Sequence, residues 1–357
     1  MQALLELRER IVAAAAERRP LRLRGGGTKD FYGQSLEGEV LETAAWRGIV
    51  SYEPTELVIT ARAGTPLAEV EAALAEKGQM LAFEPPVFGP ASTIGGVVAA
   101  GLSGPRRASA GAVRDFVLGA SLLDGAGQLK NFGGQVMKNV AGYDVSRLLC
   151  GSLGILGLIA EVSLKVLPRP AAETTLSIAV DETEALRRLN EWAGRPLPIS
   201  ASAWHSGGLR LRLSGARAAV DAARAEFCRE RGAVELDPEV AAGYWSGLRD
   251  QTAAWFAGDE PLWRLSVPST AAALAVPGER LVEWGGAQRW LRGNHDAQRL
   301  RELARELGGH ATLFRGGDRS AGVFQPLAPA VAAIHHRLKR EFDPAGIFNP
   351  GRMYPDL

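Results

Sequence analysis

Three glycine-rich stretches in the N-terminal half carry the residue types most able to do chemistry. They are Arg24-Gly25-Gly26-Gly27-Thr28-Lys29, Ser92-Thr93-Ile94-Gly95-Gly96-Val97-Val98 and Cys150-Gly151-Ser152-Leu153-Gly154-Ile155-Leu156-Gly157. A backbone that passes close to a pyrophosphate needs residues without a Cβ and with N–H groups left to donate. The first stretch follows a strand signal but has neither the G-x-G-x-x-G spacing of a Rossmann turn nor the spacing of a Walker A loop, since Lys29 directly follows Thr28. It reads as a nest of N–H groups with the Thr28 hydroxyl beside it, or as a flexible turn. The second places Ser92 and Thr93 just before a Gly-Gly helix start, a position that favours an anion. Close packing that admits only glycine at Gly95 and Gly96 is the alternative, and both can hold together. Three such stretches in order suggest a dinucleotide lying extended between two small lobes.

Other candidates are weaker. Gly111 precedes the Arg114-Asp115 pair at the mouth of a buried strand and offers backbone approach to a ligand, whereas Asp115 reads as a structural ion pair. In Lys138-Asn139-Val140-Ala141-Gly142-Tyr143-Asp144, Asp144 is placed to cap a helix, and Tyr143 reads equally as a cofactor-lining ring or a core tyrosine. The five histidines, His205, His295, His310, His335 and His336, lack metal-ligand spacing, and no metal site is expected. Cys150 and Cys228 form no disulfide framework, which fits a reduced cytoplasmic setting; Cys150 sits in an apolar run as a small hydrophobe.

The chain has 357 residues and a formal net charge of +1, so it is long enough for two or three domains and shows no electrostatic case for nucleic acid or anionic lipid. No run of about 20 apolar residues exists to cross a membrane. The charges of Glu6, Arg8, Glu9 and Arg10 among Leu4, Leu5, Leu7, Ile11 and Val12 make the start an amphipathic helix that Pro20 ends, and argue against a signal peptide.

The elements that must position these residues follow from pattern. Strands are expected at Leu21 to Arg24, Val40 to Thr43, Ile49 to Tyr52 and Leu57 to Arg62. A helix then opens with Thr65 as N-cap and Pro66 at its first position. Beyond Pro90, Thr93 caps a short helix from Ile94 to Ala100, and a loop covers Gly101 to Gly111. A hairpin joins Phe116–Leu122 to Gln128–Asn131, and a long strand runs from Leu158 to Leu167. After Pro170, strands and helices alternate and seven tryptophans appear, which reads as an α+β cap with an antiparallel sheet. The domains are expected at 1–168 (lobes about 1–90 and 91–168), 169–326, and a C-terminal helix and tail at 327–357 that returns to the first domain.

The order of these blocks from Arg24 to Pro168 resembles the PCMH-type FAD-binding domain of the vanillyl-alcohol-oxidase superfamily. Within it, the chain resembles the branch that oxidises 2-hydroxy acids. Phe342 to Met353 and Ala311-Thr312-Leu313-Phe314-Arg315-Gly316-Gly317-Asp318 extend the match, which is greatest with the FAD-binding subunits of bacterial glycolate oxidases. The resemblance implies an α+β fold, FAD stretched between two lobes, and an oxidoreductase acting on CH–OH groups, glycolate going to glyoxylate. Gly25, Gly26, Gly27 and Thr28 would hold the pyrophosphate from one side. Ser92, Thr93, Gly95, Gly96 and Gly111 would hold it and the flavin from the other, with Gly154 and the backbone at Ile159 near the flavin or adenine end. Arg315, Arg319 and Arg352 are candidate carboxylate or flavin contacts, or ordinary surface cations.

The departures matter as much. No histidine falls in the expected FAD lobes, so the cofactor should be non-covalent. Leu153 and Ile155 stand where catalytic relatives are usually polar, and their histidine cluster is missing, so no catalytic base is assigned. These features point to a subunit that binds FAD and works with a catalytic FAD subunit and an iron–sulfur subunit, its tryptophan-rich cap a docking surface or simply a core. Any link to the inner membrane would then be peripheral, through partners. A self-sufficient FAD enzyme on another hydroxy acid or alcohol, and a redox-inactive scaffold, are the alternatives.

Overall fold

The computed structural model describes residues 2–134 and 144–357. The chain begins α1 (Gln2–Glu17), β1 (Leu21–Arg24), β2 (Glu39–Glu42), β3 (Ile49–Glu53), β4 (Val58–Arg62), α2 (Leu67–Glu76), β5 (Gln79–Met80), α3 (Ile94–Ala100), α4 (Arg107–Ala110) and α5 (Val113–Phe116). Next come β6 (Val117–Leu123), β7 (Leu129–Gly133), α6 (Val145–Leu148), β8 (Leu158–Lys165), β9 (Leu167–Pro168), β10 (Ala172–Ala179), α7 (Glu182–Ala193), β11 (Ile199–His205) and β12 (Gly208–Gly215). It ends with α8 (Arg217–Arg231), β13 (Val234–Glu235), α9 (Pro238–Arg249), β14 (Leu262–Ser266), β15 (Arg280–Glu283), β16 (Gln288–Arg292), α10 (Ala297–Glu306), β17 (His310–Arg315) and α11 (Pro329–Phe342). It divides into two units: Met1–Leu102 with Ala112–Pro168 and Pro326–Leu357, and Ser103–Gly111 with Arg169–Gln325.

In the first unit, Leu7, Ile11 and Ala14 recur on one face of α1 and bury against Leu21, Leu41, Trp46, Leu158 and Phe348. β1 and β2 pair in parallel, so residues 25–38 must form a crossover, and that crossover begins with the first glycine stretch. The main sheet has the order β3-β4-β8-β6-β7 and is antiparallel throughout. Because β8 lies between β4 and β6, strands from either side of Pro90 share one sheet. β8 reads Leu-Ile-Ala-Glu-Val-Ser-Leu-Lys and is buried at most positions, the pattern of a central strand covered on both faces.

Two local expectations need correction. The N-cap of α2 is Pro66, and no side chain caps the helix. The Thr65 hydroxyl instead donates to Arg62 O at 2.7 Å and accepts from Gly48 N at 2.9 Å, tying the β4 exit to the start of β3. The stretch from Gly101 to Gly111 is not all loop: α4 lies within it, and the buried Arg106 beside α4 donates to Glu173 at 2.8 Å and Ser214 at 3.0 Å. Thr93 does cap α3, its hydroxyl accepting from Gly96 N, and Asp144 caps α6.

The second unit is an eight-stranded antiparallel sheet of order β13-β10-β12-β11-β15-β16-β14-β17. Leu209, Leu211 and Leu213 of β12 pack with Leu186, Leu189 and Trp192 of α7 and Phe227 of α8. Leu265, Leu291 and Leu313 pack with Leu300 and Ala304 of α10. α9 and β17 extend beyond the sequence expectation, although Asp237 before Pro238 is a regular start signal and its carboxylate accepts from Glu239 N and Val240 N. Trp192, Trp204, Trp245, Trp255, Trp263, Trp284 and Trp290 are each 9% exposed or less, so these tryptophans are core anchors and the docking-surface reading of them is withdrawn.

Candidate functional site

The three glycine stretches meet at one cleft in the first unit. One part encloses about 440 Å³ and is lined by Gly25, Ala63, Gly95, Gly96, Gly154, Leu158 and Ile159 among others. A second part of about 550 Å³ is lined by Gly26, Gly27, Thr28, Lys29, Asp30, Thr93 and Arg352 among others. Leu23, Arg24, Gly25, Gly96, Ala99, Leu153 and Asn349 border both, so the parts form one elongated space. The first part is largely apolar (Ala63, Ala99, Leu153, Leu158, Ile159), Arg24 borders both, and Lys29, Asp30 and Arg352 border the second alone.

The first stretch is built by close packing as well as by open amides. A Cβ on Gly25 would strike the Thr93 hydroxyl, one on Gly26 would strike Ala91 O, and one on Gly27 would strike the Arg24 guanidinium. Gly27 also has φ +69°, which side chains other than glycine rarely adopt. Among the described residues, no protein acceptor meets the N–H of Gly26, Gly27 or Thr28. Beside them, Asp30 is paired with Arg22 and, at 3.1 Å, with Arg24. The Asp30 carboxylate, and then Glu42, raise the Arg24 guanidinium pKa above its ordinary value.

The second stretch works differently from expectation. The amides at the start of α3 are already used: Ile94 N donates to Thr65 O, Gly95 N to Ala63 O and Gly96 N to the Thr93 hydroxyl. The helix start therefore offers a bare surface, not a set of open donors. Gly95 is a packing residue, since its Cβ would lie 2.5 Å from the Ala63 Cβ. Ser92 is 1% exposed and its hydroxyl accepts from Lys29 Nζ at 2.9 Å, so it reaches the cleft through Lys29.

In the third stretch Gly154, at φ +75°, faces the Asn349 amide, and a Cβ there would come within 2.8 Å of Asn349 Nδ2. The tail holds this rim in place. Asn349 Nδ2 donates to Leu153 O at 2.6 Å, and Asn349 Oδ1 accepts from Leu23 N at 2.8 Å. Lys339 Nζ donates to Ile155 O, Phe348 O and the Asp343 carboxylate, all within 2.8 Å. Burial lowers the Lys339 pKa, against the pull of Asp343.

Of the remaining candidates, Gly111 and Arg315 belong to the second unit and Arg352 borders the second part of the cleft. Gly111 ends α4 in the second unit and is not among the cleft-lining residues. Arg315 also belongs to the second unit, where it donates to Phe256 O at 2.9 Å; burial and then the neighbouring charge of Arg292 lower its pKa. Arg319 follows β17. Arg352 is 5% exposed and donates to the carbonyls of Lys29, Asp30, Tyr32 and Gln34. Its guanidinium thus holds the turn that follows the first glycine stretch, at the border of the cleft. The motif from Lys138 to Tyr143 lies outside the described residues. Lys29 and Asn349 were not singled out by sequence reasoning; Lys29 follows the glycines directly, and Asn349 sits in the distinctive Phe348-Asn349-Pro350-Gly351 tail.

Among the described residues no histidine borders the cleft, and no group of three or more His, Cys, Asp or Glu residues is placed to hold a metal. His335 and His336 lie on α11, where His336 pairs with Asp356 at 3.0 Å. Burial pushes the Cys150 thiol up to about 12. No helix among the described residues is long and apolar enough to cross a membrane.

The space and its donors fit an elongated dinucleotide, with unpaired amides at one turn and a largely apolar part beyond it. Comparison with known proteins agrees. The family described as FAD binding domain matches residues 4–133. The chain is 47% identical over 356 residues to the glycolate oxidase subunit GlcE of Escherichia coli (strain K12), covering 100% of this chain and 98% of that protein. It is 31% identical over 179 residues to the glycolate oxidase subunit GlcD of Bacillus subtilis (strain 168), covering 49% of this chain and 38% of that one. Among solved structures, p-cresol methylhydroxylase with substrate bound aligns with a TM-score of 0.73 at 15% identity, covering 99% of this chain and 87% of that one. Alkyldihydroxyacetonephosphate synthase aligns with a TM-score of 0.67 at 14% identity, covering 97% and 75%. At these identities the structures speak for the fold alone.

Proposed function

The chain belongs to the family of the glycolate oxidase subunit GlcE, and on that premise we propose that it is the FAD-binding subunit of a complex that oxidises glycolate to glyoxylate. It is an FAD-dependent oxidoreductase component whose cofactor is held without a covalent bond. The observation that carries this reading is the convergence of three distant glycine stretches on one cleft bordered by Gly26, Gly27 and Thr28, whose N–H groups meet no protein acceptor among the described residues.

In this reading the amides after β1 take the pyrophosphate. Gly96 keeps the passage over α3 open, and Leu153, Gly154 and Ile159 line the chamber that takes a ring system. Bound there, the isoalloxazine would supply a reversible hydride and electron acceptor. The chain contributes shape, a largely apolar chamber and fixed main-chain dipoles. The one carboxylate among the described residues bordering the cleft is Asp30, and two arginines hold it. That arrangement supports a subunit that carries electrons for a separate catalytic FAD subunit, with an iron–sulfur subunit as the onward acceptor. A 2-hydroxy acid is the small-molecule substrate of the assembly, and any attachment to the inner membrane is peripheral and runs through those partners.

Anaerobic addition of glycolate to the FAD-loaded chain, followed by flavin absorbance, tests the division of labour. The expected result is a yellow protein that bleaches slowly alone and rapidly once the catalytic partner is added. Fast bleaching by the isolated chain would make it a self-sufficient enzyme, and a chain that takes up no flavin would make it a scaffold.

A further inference from the structure

One side chain of the C-terminal tail is bonded to two walls of the cleft at once. Asn349 Oδ1 accepts from Leu23 N, two residues before the first glycine stretch, at 2.8 Å, and Asn349 Nδ2 donates to Leu153 O in the third stretch at 2.6 Å. Leu23, Leu153 and Asn349 each border both parts of the cleft. A carboxamide presents an acceptor and a donor at a fixed spacing, so this one side chain acts as a spacer between the two stretches. Gly154 makes room for it: a Cβ there would lie 2.8 Å from Asn349 Nδ2 and 3.4 Å from the Leu23 side chain. Leu153 (φ +52°) and Asn349 (φ +41°), the two ends of the second bond, both have left-handed backbones. That conformation is costly for a leucine and persists where its surroundings over-determine it, which is typical of ligand clamps.

The rest of the tail anchors the spacer. Phe348 lies beside Leu21 in a parallel bridge, with Leu21 N donating to Ile347 O and Asn349 N donating to Leu21 O. The Asp343 carboxylate accepts from Ile347 N and Phe348 N, and Lys339 links that carboxylate to Ile155 O. Arg352, three residues beyond Asn349, donates to carbonyls of residues 29–34. A tail that docks in this way is bonded to the chain on both sides of the cleft.

We propose that Asn349 is a positioning residue that sets the spacing of the first and third glycine stretches, so that docking of the tail and binding of the cofactor are coupled. The inference rests on the cleft being the FAD site and adds to it what holds its walls apart. Coupling is reciprocal: a docked tail that strengthens FAD binding is itself held more tightly, by the same factor, when FAD is bound.

The test uses the full-length chain stripped of flavin, as wild type, Asn349→Asp, Asn349→Ala and Asp237→Ala. Asn349→Asp keeps the shape and the acceptor for Leu23 N and removes the donor to Leu153 O. It should weaken FAD binding by about 5- to 50-fold, mostly through faster dissociation. Asn349→Ala loses both bonds and should weaken it at least as much. Asp237→Ala removes the cap of α9 in the second unit. It should lower the apo melting midpoint and leave FAD affinity unchanged, which separates spacing from a general loss of stability. Trypsin supplies the reciprocal reading. Arg352 is 5% exposed, so the bond after it is cut when the tail undocks. FAD should slow that cut in wild type, and Asn349→Asp should speed it in the apo protein. Wild-type FAD affinity and dissociation in Asn349→Asp, or a cut after Arg352 that FAD does not slow, would overturn the assignment; the trypsin result in wild type stands even if the variants fold poorly. If wild type itself binds no FAD, it is the cofactor reading of the cleft that fails.

Discussion

Replacing Gly96 with alanine separates the architecture of the cleft from its function. Gly96 is the third residue of α3, and its hypothetical Cβ meets one neighbour within 4 Å, the Thr93 hydroxyl at 3.2 Å. Its backbone is ordinary helix, so alanine is not strained there and gains about 0.5–1 kcal/mol over glycine from the lower cost of ordering the chain. The crowding of Thr93 offsets part of this. The apo protein should therefore melt within about 2–4 °C of wild type, and not below it by more than that. The new methyl, however, borders both parts of the cleft. Forcing a methyl into a contact surface costs about 1–3 kcal/mol, which predicts an FAD dissociation constant roughly 5- to 150-fold higher. The assay is flavin fluorescence titration together with thermal melting of apo protein. Wild-type FAD affinity in a stable Gly96→Ala protein would refute the idea that the ligand passes over α3. Gly95→Ala is the internal contrast: its Cβ would lie 2.5 Å from the Ala63 Cβ and 2.9 Å from Ala63 O, so it should lower the apo midpoint by several degrees.

Further outcomes follow from the same geometry. Asn349→Ala leaves Leu23 N and Leu153 O without their partner and should cost about 2–4 kcal/mol in chemical denaturation, with weaker FAD binding; an unchanged denaturation midpoint would remove Asn349 from its bridging role. Asp124 is buried, which alone would raise its pKa, but Lys130 and the N–H groups of Gln128 and Ala126 lower it below its ordinary 3.8. Its contribution to stability is therefore present above about pH 4 and lost as pH falls through the lowered value. Apo melting between pH 3 and 6 should show less acid loss in Asp124→Asn than in wild type. With its thiol held near 12, Cys150 is almost entirely protonated at pH 8 and should resist iodoacetamide, while exposed Cys228 is modified. Peptide mass spectrometry with both cysteines labelled at similar rates would contradict that burial argument.

Most of the fold was legible because it obeys short-range rules. Leu21 to Arg24 reads as a strand and is one, Thr93 reads as a helix cap and is one, and the apolar run of β8 marks a central strand. The glycine stretches were legible as a candidate site because glycine at a strand or helix end has few reasons to be there, and the structure brings them to one cleft. Their division of labour was not. That the α3 amides are spent on Ala63, Thr65 and Thr93 depends on how β4 and α3 meet, which no local pattern encodes. Asn349 joins Leu23 and Leu153 across more than half the chain, so its role exists only once the tail has docked. The Arg352 carbonyl contacts were not legible either: the four backbone oxygens it meets belong to residues 29 to 34, more than 300 positions away in the chain. Thr65 looked like a cap because a Thr-Pro pair before an apolar periodicity usually is one, but the exit of β4 supplies stronger partners for its hydroxyl.

The central claim is that the first unit holds FAD reversibly along the three glycine stretches. The most direct measurement is to saturate the purified full-length chain with FAD, remove the excess, and read flavin absorbance before and after acid precipitation. The account predicts close to one flavin per chain in the folded protein, a raised melting midpoint, and all of the flavin in the acid supernatant. A folded chain that retains no flavin and shows no thermal shift, or flavin that stays with the acid pellet, would contradict it.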